Sequence, residues 1–148
     1  MSMRPPAVPQ SDLARCWAAC MESWTSLSAY WDSHTQQYFA DTYGGWKGGL
    51  DAGSGRFASF LSDYSLGMMF AEAGKLDGSD IEWLLGDPPG GYFMFIEKQG
   101  GGVSHARLAY RYTSGKVYAM EPANGTFPGF TPSALKKIMI LTPLMVNE

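Results

Sequence analysis

Basic charge is scarce in this chain: 11 Lys and Arg stand against 14 Asp and Glu, a formal net charge of −3. With a sequence pI near 5.3, it offers no basic face for a DNA or RNA backbone, so no nucleic-acid partner is expected. No apolar run approaches the roughly 18–20 residues that a membrane-spanning helix needs. The opening MSMRPPAVPQ has one Arg, three Pro and no apolar h-region, so it does not read as a Sec signal. The expectation is a chain that is cytoplasmic when made. Cysteine is limited to Cys16 and Cys20, too few for a disulfide framework. Four residues apart on a helix, the two are strained for a mutual bridge. Without a His pair nearby they also fall short of a zinc site, and no metal or cofactor is expected.

Apolar content, by contrast, is ample. The 148 residues are 45% hydrophobic and 14% aromatic, which predicts one folded domain over 1–148. The 18 Gly and nine Pro predict long loops between its elements. Trp17, Cys20, Trp24, Leu27 and Trp31 step by three and four, the seam of a buried helix of about four turns. Short helices are read over Thr35–Thr42 and Arg56–Tyr64, with a glycine-rich loop between them. Gly67–Ala73 fits either a short strand or a helix end. Ser79 or Asp80 caps a helix through Leu85, closed by the turn Asp87-Pro88-Pro89-Gly90. Strands follow at Tyr92–Lys98, Val103–Tyr112, Lys116–Met120 and Lys137–Thr142, with a short helix opened by Thr131 before the last. Helices before an antiparallel sheet is α+β order, here a mainly helical lobe over 10–90 and a mainly β lobe over 91–148.

The chemistry concentrates in Gln10–Trp24, QSDLARCWAACMESW. Cys16 sits where a loop becomes a helix, and the unpaired N–H groups and positive dipole end of a helix N-terminus favour a thiolate. Gln10, six residues upstream, has an amide that can meet the oxyanion formed when a thiolate attacks a carbonyl. Cys20 reads as a small packing residue. A nucleophilic thiol needs a base, and the chain has two histidines. His34 lies in a polar stretch and reads as a solvated imidazole. His105 lies near the start of a strand, just after Gly100-Gly101-Gly102, where a substrate can approach backbone closely. Across the Thr113–Gly115 turn, Glu121 falls roughly opposite the start of the His105 strand. Glu121 or Asn124 is therefore the candidate to orient the imidazole.

This ordered set (Gln, Cys, His, acid, with a helix before a sheet) resembles the papain-like cysteine peptidases. Cys16-Trp17 is similar to their Cys–aromatic pair. Cys16-Trp17-Ala18-Ala19-Cys20 resembles the start of small bacterial effector proteases and bacteriocin-processing peptidases. Ser104-His105-Ala106 and Glu121-Pro122-Ala123-Asn124-Gly125 resemble the His-Ala strand and the Asp-Pro-Asn-x-Gly turn of YopT/AvrPphB-type effector peptidases. Three features depart from that pattern: Glu121 replaces Asp, the Cys-to-His stretch is short, and the histidine strand carries Arg107 and Arg111. Strand alternation predicts that both arginines share the face of His105, where one pairs with Glu121, binds an acidic group of the substrate, or is simply solvated.

The resemblance implies a hydrolase, a thiol protease that uses Cys16, His105 and Glu121 (or Asn124), with Gln10 in its oxyanion hole. Trp17, Gly102, Ser104 and Arg107 are the residues expected to meet a protein or peptide substrate. The effector likeness implies a secreted toxin exported by a specialised system, with an immunity protein or chaperone as partner. Peptidoglycan amidases, deamidases and transglutaminases use the same Cys–His pair and are the alternatives, together with an idle papain-like binding shell.

Overall fold

A computed structural model describes residues 3–28, 31–45, 49–50, 53–72, 75–86, 91–98, 104–135 and 138–144. In chain order the elements are α1 (Cys16–Thr25), α2 (Gln36–Tyr43), α3 (Gly55–Asp63), β1 (Leu66–Ala71), α4 (Gly78–Leu84), β2 (Phe93–Lys98), β3 (Ser104–Thr113), β4 (Lys116–Met120), β5 (Gly129–Phe130) and β6 (Ile138–Pro143). The strands form one antiparallel sheet in the order β1-β6-β2-β3-β4-β5.

Alternation along the strands builds two cores. Met94, Ala106, Leu108, Met120 and Leu141 turn to one face, where they meet Trp17, Phe39 and Phe60 of α1, α2 and α3. Phe93, Phe95, Ala109, Ala119 and Ile140 turn to the other, where Ile81 and Leu84 of α4 cover them. The architecture is α+β, but the expected division at residue 90 differs from what is found. Gly67–Ala73, left between strand and helix end, is largely β1, which pairs with β6 at the sheet edge. The helical segment thus supplies a strand, and its last helix lies on the far face.

Three of the helices, α2, α3 and α4, begin at a polar cap. Thr35, Ser54 and Asp77 accept N–H groups of the first turns of α2, α3 and α4, and Asp77 with Asp80 completes a reciprocal capping box. The expected cap for α4, Ser79 or Asp80, lies one turn too late. The first helix is shorter than the four turns its seam predicts. Its last turn carries Thr25 and Ser26, whose hydroxyls donate to the carbonyls of Met21 and Ser23, a local competition that helix ends favour. Trp31 nevertheless keeps its place in the apolar seam: its ring meets Trp24 edge-on at 5.1 Å although the chain has left the helix.

The segment before α1 straps the molecule together. Tyr92 Oη donates to the Met3 carbonyl, Ser23 Oγ to that of Pro6 and Gln36 Nε2 to that of Pro9. The backbone N–H of Gln10 donates to the Pro122 carbonyl at 2.7 Å. That last bond draws the turn after β4 against the start of α1.

Candidate active site

A 3-10 turn, Leu13–Arg15, capped by Asp12, delivers Cys16 as the first residue of α1. Ala18, Ala19 and Cys20 are fully buried, and their small side chains let α1 lie close against β3. The Cys16 sulfur accepts the backbone N–H of Ala106 at 3.4 Å, which fixes it beside the start of that strand. His105, the preceding residue, donates from Nε2 to Glu121 Oε2. The Cys16 side chain beside it is the main reason the imidazole's pKa is raised to about 9. The bond to Glu121 adds to the rise and burial opposes it. Burial pushes the Glu121 carboxyl up, but the hydrogen bonds from His105 and Arg107 and their charges prevail and hold it near 2. Among the described residues no group of His, Cys, Asp and Glu is arranged to hold a metal ion.

Gln10 is tied through the Pro122 carbonyl to the Glu121 turn. One proton of its Nε2 goes to the Asp12 carbonyl at 2.9 Å, and the other has no acceptor among the described residues. A cavity of about 540 Å³ opens beside the Cys16 turn, with Asp12, Arg15, Asp41 and Arg56 in its walls. Among the described residues neither of these arginines is within ion-pair distance of a carboxylate.

Other expectations fare differently. Asn124 uses its Oδ1 on Thr126 within its own turn, so of the two candidates only Glu121 reaches the imidazole. Trp17, expected at the substrate, is 1% exposed and packs edge-on against Phe39 and Phe60, because one helical step from Cys16 turns it into the core. Ser104 is exposed at the start of β3. Gly102, like the rest of the loop over 99–103, lies outside the described residues. His34 is half-buried and stacked on Tyr38 at 3.8 Å, away from the site. Arg107 is buried and engaged by Glu121 and Glu97, not presented to a substrate.

Arg111 does not share the face of His105. The β3–β4 register slips between Ala109 and Arg111, and Tyr112 pairs with Val117 of the α4-side core. The extra residue of this bulge reverses the alternation. It places Tyr112, not Arg111, on the side that holds Arg107.

No family model and no curated protein matches the chain. Solved structures do. The peptidase domain of Streptococcus ComA, a bifunctional ABC transporter involved in a quorum-sensing pathway, superposes with a TM-score of 0.61 at 16% identity, over 95% of this chain and 100% of that one. A double-glycine-motif protease from an AMS/PCAT transporter, solved with a leader peptide, gives 0.61 at 14% identity, over 97% of this chain and 94% of that one. The fold is papain-like. At this identity the papain-like likeness rests on backbone architecture, and the chemistry has to be argued from this chain's own side chains. Among the described residues no helix is long and apolar enough to cross a membrane.

Proposed function

We propose that this chain is a cysteine peptidase in which Cys16 is the nucleophile, His105 the acid–base group and Glu121 the residue that holds the imidazole. The observation that carries this reading is that the Cys16 sulfur sits on the backbone N–H of Ala106, next to His105, while the His105 ring is held by the Glu121 carboxylate. With the imidazole protonated up to about pH 9, a cationic acid–base group stands beside the nucleophile at neutral pH.

The thiolate attacks an amide carbonyl carbon, and the carbonyl oxygen takes the negative charge. The free proton of the Gln10 amide and the backbone N–H of Cys16 are the donors for that oxyanion. Such a donor is worth about 3–4 kcal/mol in the transition state. His105 gives its proton to the leaving nitrogen as the C–N bond breaks, leaving a thioester on Cys16. Water then loses a proton to His105, its oxygen adds to the thioester carbon, and the C–S bond breaks. The carboxylic acid leaves and the ion pair returns.

The neighbour solved with a leader peptide supports an extended peptide segment as substrate. The short motifs shared with effector peptidases support export as a toxin, for which an immunity protein is the natural partner.

Cys16→Ala and His105→Ala should each lower peptide turnover at least ~10³-fold with circular dichroism unchanged. Near-normal turnover by either variant would overturn the assignment. Purified peptidoglycan incubated in parallel, with mass analysis of released fragments, separates a peptidase from an amidase.

A further inference from the structure

Glu121 has one methylene more than an aspartate, and so one more rotor to fix before its carboxylate can steer an imidazole. Three contacts fix it. Oε2 receives His105 and, at 3.3 Å, the backbone N–H of Ala123, while Oε1 receives Arg107 Nε at 2.8 Å. Arg107 is held in turn. Its Nη1 donates to Glu97 Oε1 at 3.3 Å, and its guanidinium lies over the Phe130 ring, 4.5 Å from the centroid.

The sheet brings these groups together. Glu97 stands opposite His105 across β2 and β3, and Arg107 is two residues along β3 on the same face. Glu121 follows Met120, the partner of Leu108, and so falls opposite Arg107. Phe130 on β5 closes the far side. Arg107 and Glu121 are each 9% exposed. A buried fork that reaches two carboxylates at once is a task for guanidinium geometry, and an ammonium cannot copy it.

We propose that Arg107 is a positioning residue: it clamps the Glu121 carboxylate, braced by Glu97 and Phe130, so that the longer acid presents Oε2 to His105. The inference rests on the peptidase reading for its kinetic consequence, but the clamp itself has a readout that needs no substrate. The charged and titratable groups around His105 are Glu97 from β2, Arg107 from β3, Glu121 after β4 and Cys16 from α1.

The test compares Arg107→Met, Arg107→Lys and the exposed Arg111→Met with the parent protein. His105 is one of only two histidines, so its ring is easily followed by NMR. In Arg107→Met the freed Glu121 no longer supports the imidazolium, and the His105 titration midpoint should fall by about one pH unit. The rate at which iodoacetamide alkylates Cys16 should change its pH profile in step. With a cleavable peptide, kcat should drop on the order of 10²-fold, the scale of a small misplacement, with KM changed less than about twofold. Arg107→Lys should recover part of each loss, and Arg111→Met should match the parent. An Arg107→Met protein that is less stable but keeps the parent His105 titration and alkylation profile would overturn the clamp. Should that variant fail to fold, Arg107→Lys decides: a parent-like titration and profile overturns the clamp, and an intermediate shift supports it. A parent protein that never cleaves would sink the peptidase reading while leaving the His105 titration to judge Arg107.

Discussion

Cys16 and Cys20 lie one helical turn apart on α1, both buried and both free, yet they meet different neighbours. The Cys16 sulfur sits on the Ala106 N–H, next to His105, whose pKa is raised to about 9. Around Cys20, burial first, then the charges of Cys16 and Glu121, pushes the thiol well above its ordinary value. Iodoacetamide at about pH 6, where an ordinary thiol is nearly inert, should therefore modify one cysteine per native chain, and mass mapping should place it on Cys16. Modification of Cys20, or equal labelling of both, would contradict this account. Cys16 and His105 were conspicuous in the sequence because their signals are local: a thiol at a loop–helix junction and an imidazole after a glycine run. Trp17 was misread, and Arg107 stayed open between Glu121, substrate and solvent, because their surroundings are not local. One helical step separates cleft edge from core, and the partners of Arg107 come from β2, the turn after β4, and β5.

The strands β2, β3, β4 and β6 could be read closely because turn residues bound their β-branched and aromatic stretches, whereas β1 stayed open between strand and helix end and β5 was read as loop. A helix end is harder to read. The three- and four-residue steps from Trp17 to Trp31 describe a cluster of rings that persists after the helix stops at Thr25. The bulge after Ala109 left no mark either, since Tyr110, Arg111 and Tyr112 are all compatible with a regular strand. The ring cluster itself is testable at Phe60, fully buried on α3 and in contact with Trp17, Tyr43 and Tyr64 at centroid distances of 5.3, 5.3 and 5.6 Å. Phe60→Ala should cost about 3–5 kcal/mol in urea unfolding, the range for emptying a packed aromatic site. The activity of the folded fraction should stay close to the parent's, because Phe60 touches no group of the site. A loss below about 1 kcal/mol would mean that α3 does not pin α1 to the sheet.

At the scale of the whole molecule, the site couples the fold to pH, because Cys16, His105 and Glu121 come from segments that only the folded chain joins. His105 is raised from 6.5 to about 9. Its contribution is full below the unfolded value near 6.5 and is lost as pH climbs through 9. Glu121 is lowered from 4.5 to about 2, so its contribution is full above 4.5 and is lost as pH falls through 2. Stability should therefore have a plateau between about 4.5 and 6.5 and decline on both sides, with the site responsible for a change on the order of 2–3 kcal/mol at each edge. For a chain of this length that is a shift of about 5–10 °C in melting temperature. The variants separate the two edges. Glu121→Gln should flatten the acid side. His105→Ala should flatten the basic side, and Cys16→Ala, which removes the strongest support of the imidazolium, should shrink the basic decline and end it at lower pH. Melting curves collected from pH 3 to 10 would show this directly. A Cys16→Ala protein whose basic decline coincides with the parent's would mean that the sulfur and the imidazole do not share a proton in the native state, whatever their separation.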